Sequence, residues 1–192
     1  MIILYHCMSA RSFRALWMLE ELSLSYELRM LPFPPRLLAR WYLDINPLGT
    51  IPLMISGGTR MTESAAICQY LCSLSAPTHL QVEPTEADYG AYLNFLHFGE
   101  ATLTFPQTLV LRYSRFEPGP RRQPSVADDY AKWFQARLRT LEPLLSQQQY
   151  LCRSLHRGRR FRGLRATTGP ARRARVAVHA GGSSVLAASA TA

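Results

Sequence analysis

A proline stands second in the apolar run Ile51-Pro52-Leu53-Met54-Ile55, and few features bear harder on what this chain can fold into. Proline has no N–H to give a sheet ladder, so such a run can open a strand but not continue one inward from an earlier residue. Ahead of it, Asn46-Pro47-Leu48-Gly49-Thr50 has the composition of a turn. Behind it, Gly57-Gly58 makes a tight connection to Thr59-Arg60-Met61. Two backbone readings of the proline stand side by side. A trans proline suits an ordinary edge strand. A cis Ile51–Pro52 bond turns the N–H and C=O of Ile51 outward, where a peptide-like ligand can pair with them.

The flanking periodicities supply the elements around this hairpin. Residues 2–5 are a short apolar β-like run, and Phe13, Leu16 and Trp17 opposite Glu20 and Glu21 predict an amphipathic helix ending near Leu24. Residues 26–31 alternate as a strand does, Pro32 to Arg36 break it, and a second helical stretch leads into the turn. After the hairpin, Ile67, Tyr70, Leu71 and Leu74 follow helical spacing. The predicted order over residues 1–76 is β-α-β-α-β-β-α. Residues 77–84 read as a linker, and beyond them the strand signals stop. Tyr89, Tyr92, Leu93, Leu96 and Leu103 predict one long helix; Tyr130, Trp133, Phe134, Leu138, Leu141 and Leu145 predict a second. The expectation is a small α/β domain, then a helical domain over residues 85–152.

Charge separates these domains from the end of the chain. The net charge of +9 resembles that of a nucleic-acid binder. Yet residues 153–175 alone hold nine arginines and no acid, and residues 1–152 are neutral overall. The four cysteines, Cys7, Cys68, Cys72 and Cys152, form neither a zinc spacing nor a C-x-x-C pair and read as small buried residues. The start of the chain has no basic region ahead of an apolar one, and no apolar run approaches a membrane span. A reducing cytoplasm is the expected compartment, with no membrane and no metal.

Residues 61–71, M-T-E-S-A-A-I-C-Q-Y-L, carry a second motif. Ser64 stands where a helix begins, and the N–H groups and dipole of a helix start favour a carboxylate. Glu63 beside it offers an acceptor for an ammonium group, although the same two residues also suit plain capping. Carboxylate and ammonium together describe the end group of an amino acid.

With the order of elements above, the pair N-P-L-G-x-I-P and E-S-x-A-I-x-x-Y-L resembles the glutathione transferase family over about 150 residues. The resemblance implies a thioredoxin-like domain over residues 1–76 followed by a truncated helical domain of that family. It further implies that Ile51 pairs with the cysteinyl backbone of glutathione, that Pro52 is the cis proline, and that Glu63 and Ser64 hold the γ-glutamyl group. The family lowers the pKa of the glutathione thiol with a hydroxyl or thiol after the first strand, because the thiolate is the nucleophile. In His6-Cys7-Met8-Ser9-Ala10-Arg11-Ser12, Ser9 is the first candidate and Ser12 the second, with Arg11 adding positive charge. Cys7 falls early for the cysteine of thiol-transferring members, and Tyr5 lies on the strand. The apolar site for the second substrate would draw on one or two of Tyr92, Phe95, His97, Phe98 and Tyr113. The implied activity is conjugation of glutathione to small electrophiles in detoxification, or reduction of peroxides, by a cytoplasmic homodimer. The alternatives are a non-catalytic binding module on the same fold and an inactive truncated product.

The basic tail, residues 153–192, departs from the family, which continues here with a buried helix opened by a sequence such as F-T-A-A-D. Read one nucleotide downstream with permitted codons, Leu155 to Gly169 becomes F-T-A-A-D-V-S-V-G-Y-A-L-L-L-A. That is a capping box followed by an apolar helix. The expectation is a tail out of frame and disordered, whose arginines do not imply a nucleic-acid partner.

Overall fold

The computed structural model describes residues 1–78, 80–148 and 150–152. The tail therefore lies outside the described residues, and with it the reading of its frame and order. The chain divides after Thr78 into two compact units.

The first unit is a four-stranded mixed sheet with strand order β2-β1-β3-β4, formed by β1 (Ile2–His6), β2 (Tyr26–Met30), β3 (Leu53–Ser56) and β4 (Thr59–Met61). β1 pairs parallel with β2, which requires a crossover, supplied by α1 (Ser12–Glu21). β3 pairs antiparallel with both β1 and β4. The β3–β4 hairpin closes on Gly57-Gly58, with Gly57 at φ 57°, the left-handed backbone of the turns that match strand twist. The apolar sequence of β1 follows from its central place: Leu4, Tyr5 and His6 are all buried, so both faces of the strand are covered.

On one face Tyr5, Cys7, Leu31, Ala39, Tyr42, Ile51 and Leu53 form a single apolar cluster, with the Tyr5 and Tyr42 rings 5.3 Å apart. α1 packs on β1 and on α4 (Ser64–Leu74). The buried side of α1 is Ser12, Ala15, Met18 and Leu19, whereas the spacing of Phe13, Leu16 and Trp17 predicts another. Phe13 is 42% exposed, whereas α4 meets α1 along Arg14 and Met18. The helical stretch ahead of the Asn46 turn is two single turns, α2 (Pro35–Leu38) and α3 (Tyr42–Ile45), not one helix.

The second unit is helical. α5 (Tyr89–His97), a π-helical turn (Phe98–Thr104), α6 (Phe105–Leu111) and a second π-helical turn (Arg112–Phe116) run on as one long helical segment. A 3₁₀ turn (Gly119–Arg121) precedes α7 (Pro124–Arg139), which packs against α6. The helix predicted to continue through Leu145 breaks at Thr140, and α8 (Glu142–Gln147) follows. Leu103 and Phe134 form one buried cluster with Phe98 and Leu138, and Val82 and Cys152 another with Tyr89, Tyr92 and Phe95.

Candidate functional site

Strand register brings the three candidate segments to one end of the sheet. Tyr5 pairs with Leu53, so the loop after β1 and the residues before β3 meet at the same edge, where Cys7 and Ile51 share the apolar cluster. Met54 pairs with Met61, so the residues after β4, Glu63 and Ser64, emerge at that edge as well. The chain segment carrying Ser9, the turn before Pro52 and the start of α4 are thus neighbours, although up to 55 positions separate them.

The turn before Pro52 is built by Asn46. Its Nδ2 donates to the Thr50 carbonyl at 2.9 Å, and its Oδ1 accepts from the Leu48 N–H at 3.3 Å. The buried Tyr42 hydroxyl donates to the same Thr50 carbonyl at 2.8 Å and accepts from Asn46 Nδ2 at 3.3 Å. Burial holds the Tyr42 phenol above its ordinary pKa, so it stays a donor. Gly49 sits at φ 60°, and a Cβ there would lie 2.7 Å from Arg36 Cβ. The glycine is therefore required twice, by conformation and by space. The turn delivers Ile51 just ahead of β3, through a cis Ile51–Pro52 bond.

At the start of α4, Glu63 is extended and exposed, and its carbonyl accepts the first helical bond from Ile67 N–H at 2.9 Å. Ser64 is 4% exposed, and its Oγ accepts a hydrogen bond from Arg14 Nη1 at 3.2 Å.

The loop after β1 separates its two serines. Ser12 is fully buried, its Oγ 2.8 Å from His6 Nδ1 and accepting from the Cys7 N–H at 3.3 Å. That hydroxyl ties the two ends of the loop together and faces inward. Burial pushes the His6 pKa below its usual value, with the hydrogen bond to Ser12 pulling the other way. Ser9, by contrast, is exposed and has φ 57°, a left-handed backbone uncommon outside glycine. Arg11 is exposed at the N-terminal boundary of α1. Cys7 is fully buried, its Sγ–H directed at the Pro32 carbonyl at 3.6 Å, and burial pushes its thiol up to about 11. A thiol so placed has almost no thiolate at neutral pH, which removes it as a nucleophile. Tyr5 is buried and accepts from Arg29 at 2.8 Å.

Among the described residues no cluster of three His, Cys, Asp or Glu is placed to hold a metal, and no helix is long and apolar enough to cross a membrane. Sequence reasoning placed Asn46 in the turn without its hydrogen bonds, and it missed the parts played by Tyr42, His6 and Arg14. An asparagine opening a turn is a recognisable signal. Arg14 had none, because its partner lies 50 positions away.

Comparison with known proteins finds similarity in sequence and in fold. Residues 8–74 match the family profile described as Glutathione S-transferase, N-terminal domain. Glutathione S-transferase 3 of Schizosaccharomyces pombe is 35% identical over 103 residues, 54% of this chain and 43% of that protein. The matched stretch thus spans less than half the length of this curated relative. Among solved structures, the glutathione transferase URE2P8 from Phanerochaete chrysosporium, with oxidized glutathione, aligns at a TM-score of 0.70 and 23% identity over 80% of this chain and 71% of its own. The glutathione transferase URE2P6 of the same organism, in complex with oxidized glutathione, gives 0.67 and 28% over 78% and 70%.

Proposed function

From the premise that this chain belongs to the glutathione S-transferase family through its N-terminal domain, we propose that it joins the glutathione thiol to small electrophiles. One observation supports the reading: the register brings the end of β1, the start of β3 and the end of β4 to a single sheet end, next in sequence to Ser9, Ile51, Glu63 and Ser64. Ile51, ahead of the β3 ladder, offers its backbone N–H and C=O to the cysteinyl residue of the tripeptide. Ser64 donates to the γ-glutamyl carboxylate at the positive end of α4, and Glu63 accepts from the ammonium.

We take Ser9 as the hydroxyl that serves the thiol, because its side of the loop is exposed whereas Ser12 is fully buried against His6 and Cys7. Donation from Ser9 Oγ to the glutathione sulfur favours the thiolate, with Arg11 adding positive charge nearby. With an aryl halide, the thiolate attacks the ring carbon, the C–S bond forms and halide departs. The thiol proton leaves to solvent. The same thiolate can attack a peroxide oxygen, as a second glutathione completes the disulfide and the peroxide is reduced to water and alcohol. Relatives such as URE2P8 and URE2P6 carry oxidized glutathione in their structures, which supports glutathione as the ligand class. We read the active form as a cytoplasmic homodimer. We read residues 153–192 as translated out of frame, which the nucleotide sequence around codon 153 tests directly.

The functional test is a glutathione-affinity column with a turnover assay on a 2,4-dinitrophenyl halide. Retention with turnover that Ser9→Ala lowers roughly 10²-fold is the expected result. Retention without turnover identifies a binding module on the same fold, and failure to be retained overturns the glutathione reading.

A further inference from the structure

α1 and α4 meet through a repeated contact at helical spacing. Cys68 Sγ–H points at the Arg14 carbonyl at 3.7 Å, and one turn on, Cys72 Sγ lies 3.7 Å from Met18 Sδ. Arg14 and Met18 are four apart on α1; Ser64, Cys68 and Cys72 are spaced by four on α4. The two helices run side by side in the same direction, and the ladder of contacts places the Arg14 guanidinium at the first turn of α4. There Nη1 donates to Ser64 Oγ at 3.2 Å.

A serine hydroxyl has one proton to give and two lone pairs. With one lone pair taken by Arg14, the Ser64 proton is turned away from the guanidinium and is available to an acceptor outside α4. The fixed positive charge beside it raises the acidity of that O–H and favours an anionic acceptor over a neutral one. A serine at a helix start without this neighbour would favour a carboxylate through the helix dipole alone, and less strongly.

We propose that Arg14 is a positioning residue that acts through Ser64 and makes this subsite selective for a carboxylate over its amide. The proposal deepens the glutathione reading and rests on it: the carboxylate is the one at the γ-glutamyl end of the tripeptide.

Titration calorimetry on the full chain tests it with two probes, glutathione and its analogue amidated at the γ-glutamyl α-carboxylate. The proteins are the parent, Arg14→Gln, Arg14→Lys, Ser64→Ala and the double variant Arg14→Gln/Ser64→Ala. The parent is expected to prefer glutathione over the amide by roughly tenfold or more, in the range of one charge-assisted hydrogen bond. Arg14→Gln should weaken glutathione by about tenfold and leave the amide within about twofold, so most of the preference is lost and only the part due to the helix dipole stays. Arg14→Lys, which keeps the charge, should retain most of the preference. The double variant should bind glutathione no more weakly than the weaker single one, since both changes remove the same interaction.

A merely structural arginine would weaken both probes alike in Arg14→Gln, and that outcome overturns the proposal. Additive losses in the double variant overturn it too, because Arg14 would then act independently of Ser64. If Arg14→Gln melts well below the parent, Arg14→Lys alone decides: a lost preference at parental stability is contrary to the proposal. A parent that binds neither probe sinks the glutathione reading itself, and this proposal with it. A parent that binds both equally leaves glutathione binding standing and defeats only the role of Arg14.

Discussion

Asn46 Nδ2 lies 2.9 Å from the carbonyl of Thr50, the residue that hands the chain to Ile51 and Pro52. One buried side-chain amide thereby sets where the backbone of Ile51 is presented. Asn46→Ala should cost about 1–2 kcal/mol of stability, since the Thr50 carbonyl keeps its bond from Tyr42 but loses one partner. It should also raise KM for glutathione more than it lowers kcat, because the displaced group serves binding. Equal stability and KM in denaturant titration and kinetics would contradict this role for Asn46.

Gly49→Ala should be costlier. A left-handed alanine costs about 1–2 kcal/mol, and its Cβ would sit 2.7 Å from Arg36 Cβ, which forces the turn or α2 to shift. Overpacking of this kind adds about 1–3 kcal/mol. Gly57→Ala has the same backbone penalty and open space around it, so comparing their melting temperatures separates conformation from crowding.

Ser9→Gly is a cleaner probe of catalysis than alanine. Glycine accepts the φ of 57° without strain. The relief is offset by about 0.4–1 kcal/mol of added unfolded-state freedom. Stability should therefore stay within about 1 kcal/mol of the parent, while turnover of a 2,4-dinitrophenyl halide falls roughly 10²-fold for loss of one donor to the reacting sulfur. Turnover that survives the change would remove Ser9 from the mechanism.

Cys7 and Cys72 are both buried, and burial pushes each thiol up to about 11 from an ordinary 9.0. Above pH 9 the unfolded chain gives up these protons before the folded one does. Stability is therefore fully present below pH 9 and declines as pH rises from there through 11. Each thiol contributes about 2–3 kcal/mol to the decline at one pKa unit per 1.4 kcal/mol. Melts between pH 8 and 11 should show the loss, reduced in Cys7→Ala. Iodoacetamide at pH 7 should leave Cys7 unlabelled in the folded chain and label it in denaturant.

His6 acts at the other end of the pH scale. Burial lowers its pKa in the folded chain, so below about 6.5 the unfolded chain takes up the proton first. Stability should fall as pH drops from there through the folded value, and the His6–Ser12 contact that closes the loop around Ser9 should open with it. His6→Gln should flatten the melting temperature between pH 6.5 and 5. An unchanged slope would show that His6 does not titrate with folding.

The legible part of this molecule was local. β1, β2, the Gly57-Gly58 hairpin and α4 stand where alternation, paired glycines and helical spacing placed them, because each depends on residues a few positions apart. The same reasoning named the wrong face of α1, because Phe13 looks like core until α4 takes the side of Arg14 and Met18. It also merged α2 and α3 and ran α7 on through Thr140, since apolar spacing does not record where a helix pays its turn to a neighbour.

By itself, then, the sequence determined the order of elements, the turn before Pro52 and the candidate residues at three separate places, since backbone chemistry and periodicity act over short range. Only the tertiary structure decided which of them meet. Register across β1, β3 and β4 assembles the sheet end, burial turns Ser12 inward and leaves Ser9 outside, and the packing of two helices delivers Arg14 to Ser64. The β1–β3 register and the Arg14–Ser64 contact join residues about 50 positions apart, and no local pattern encodes those two.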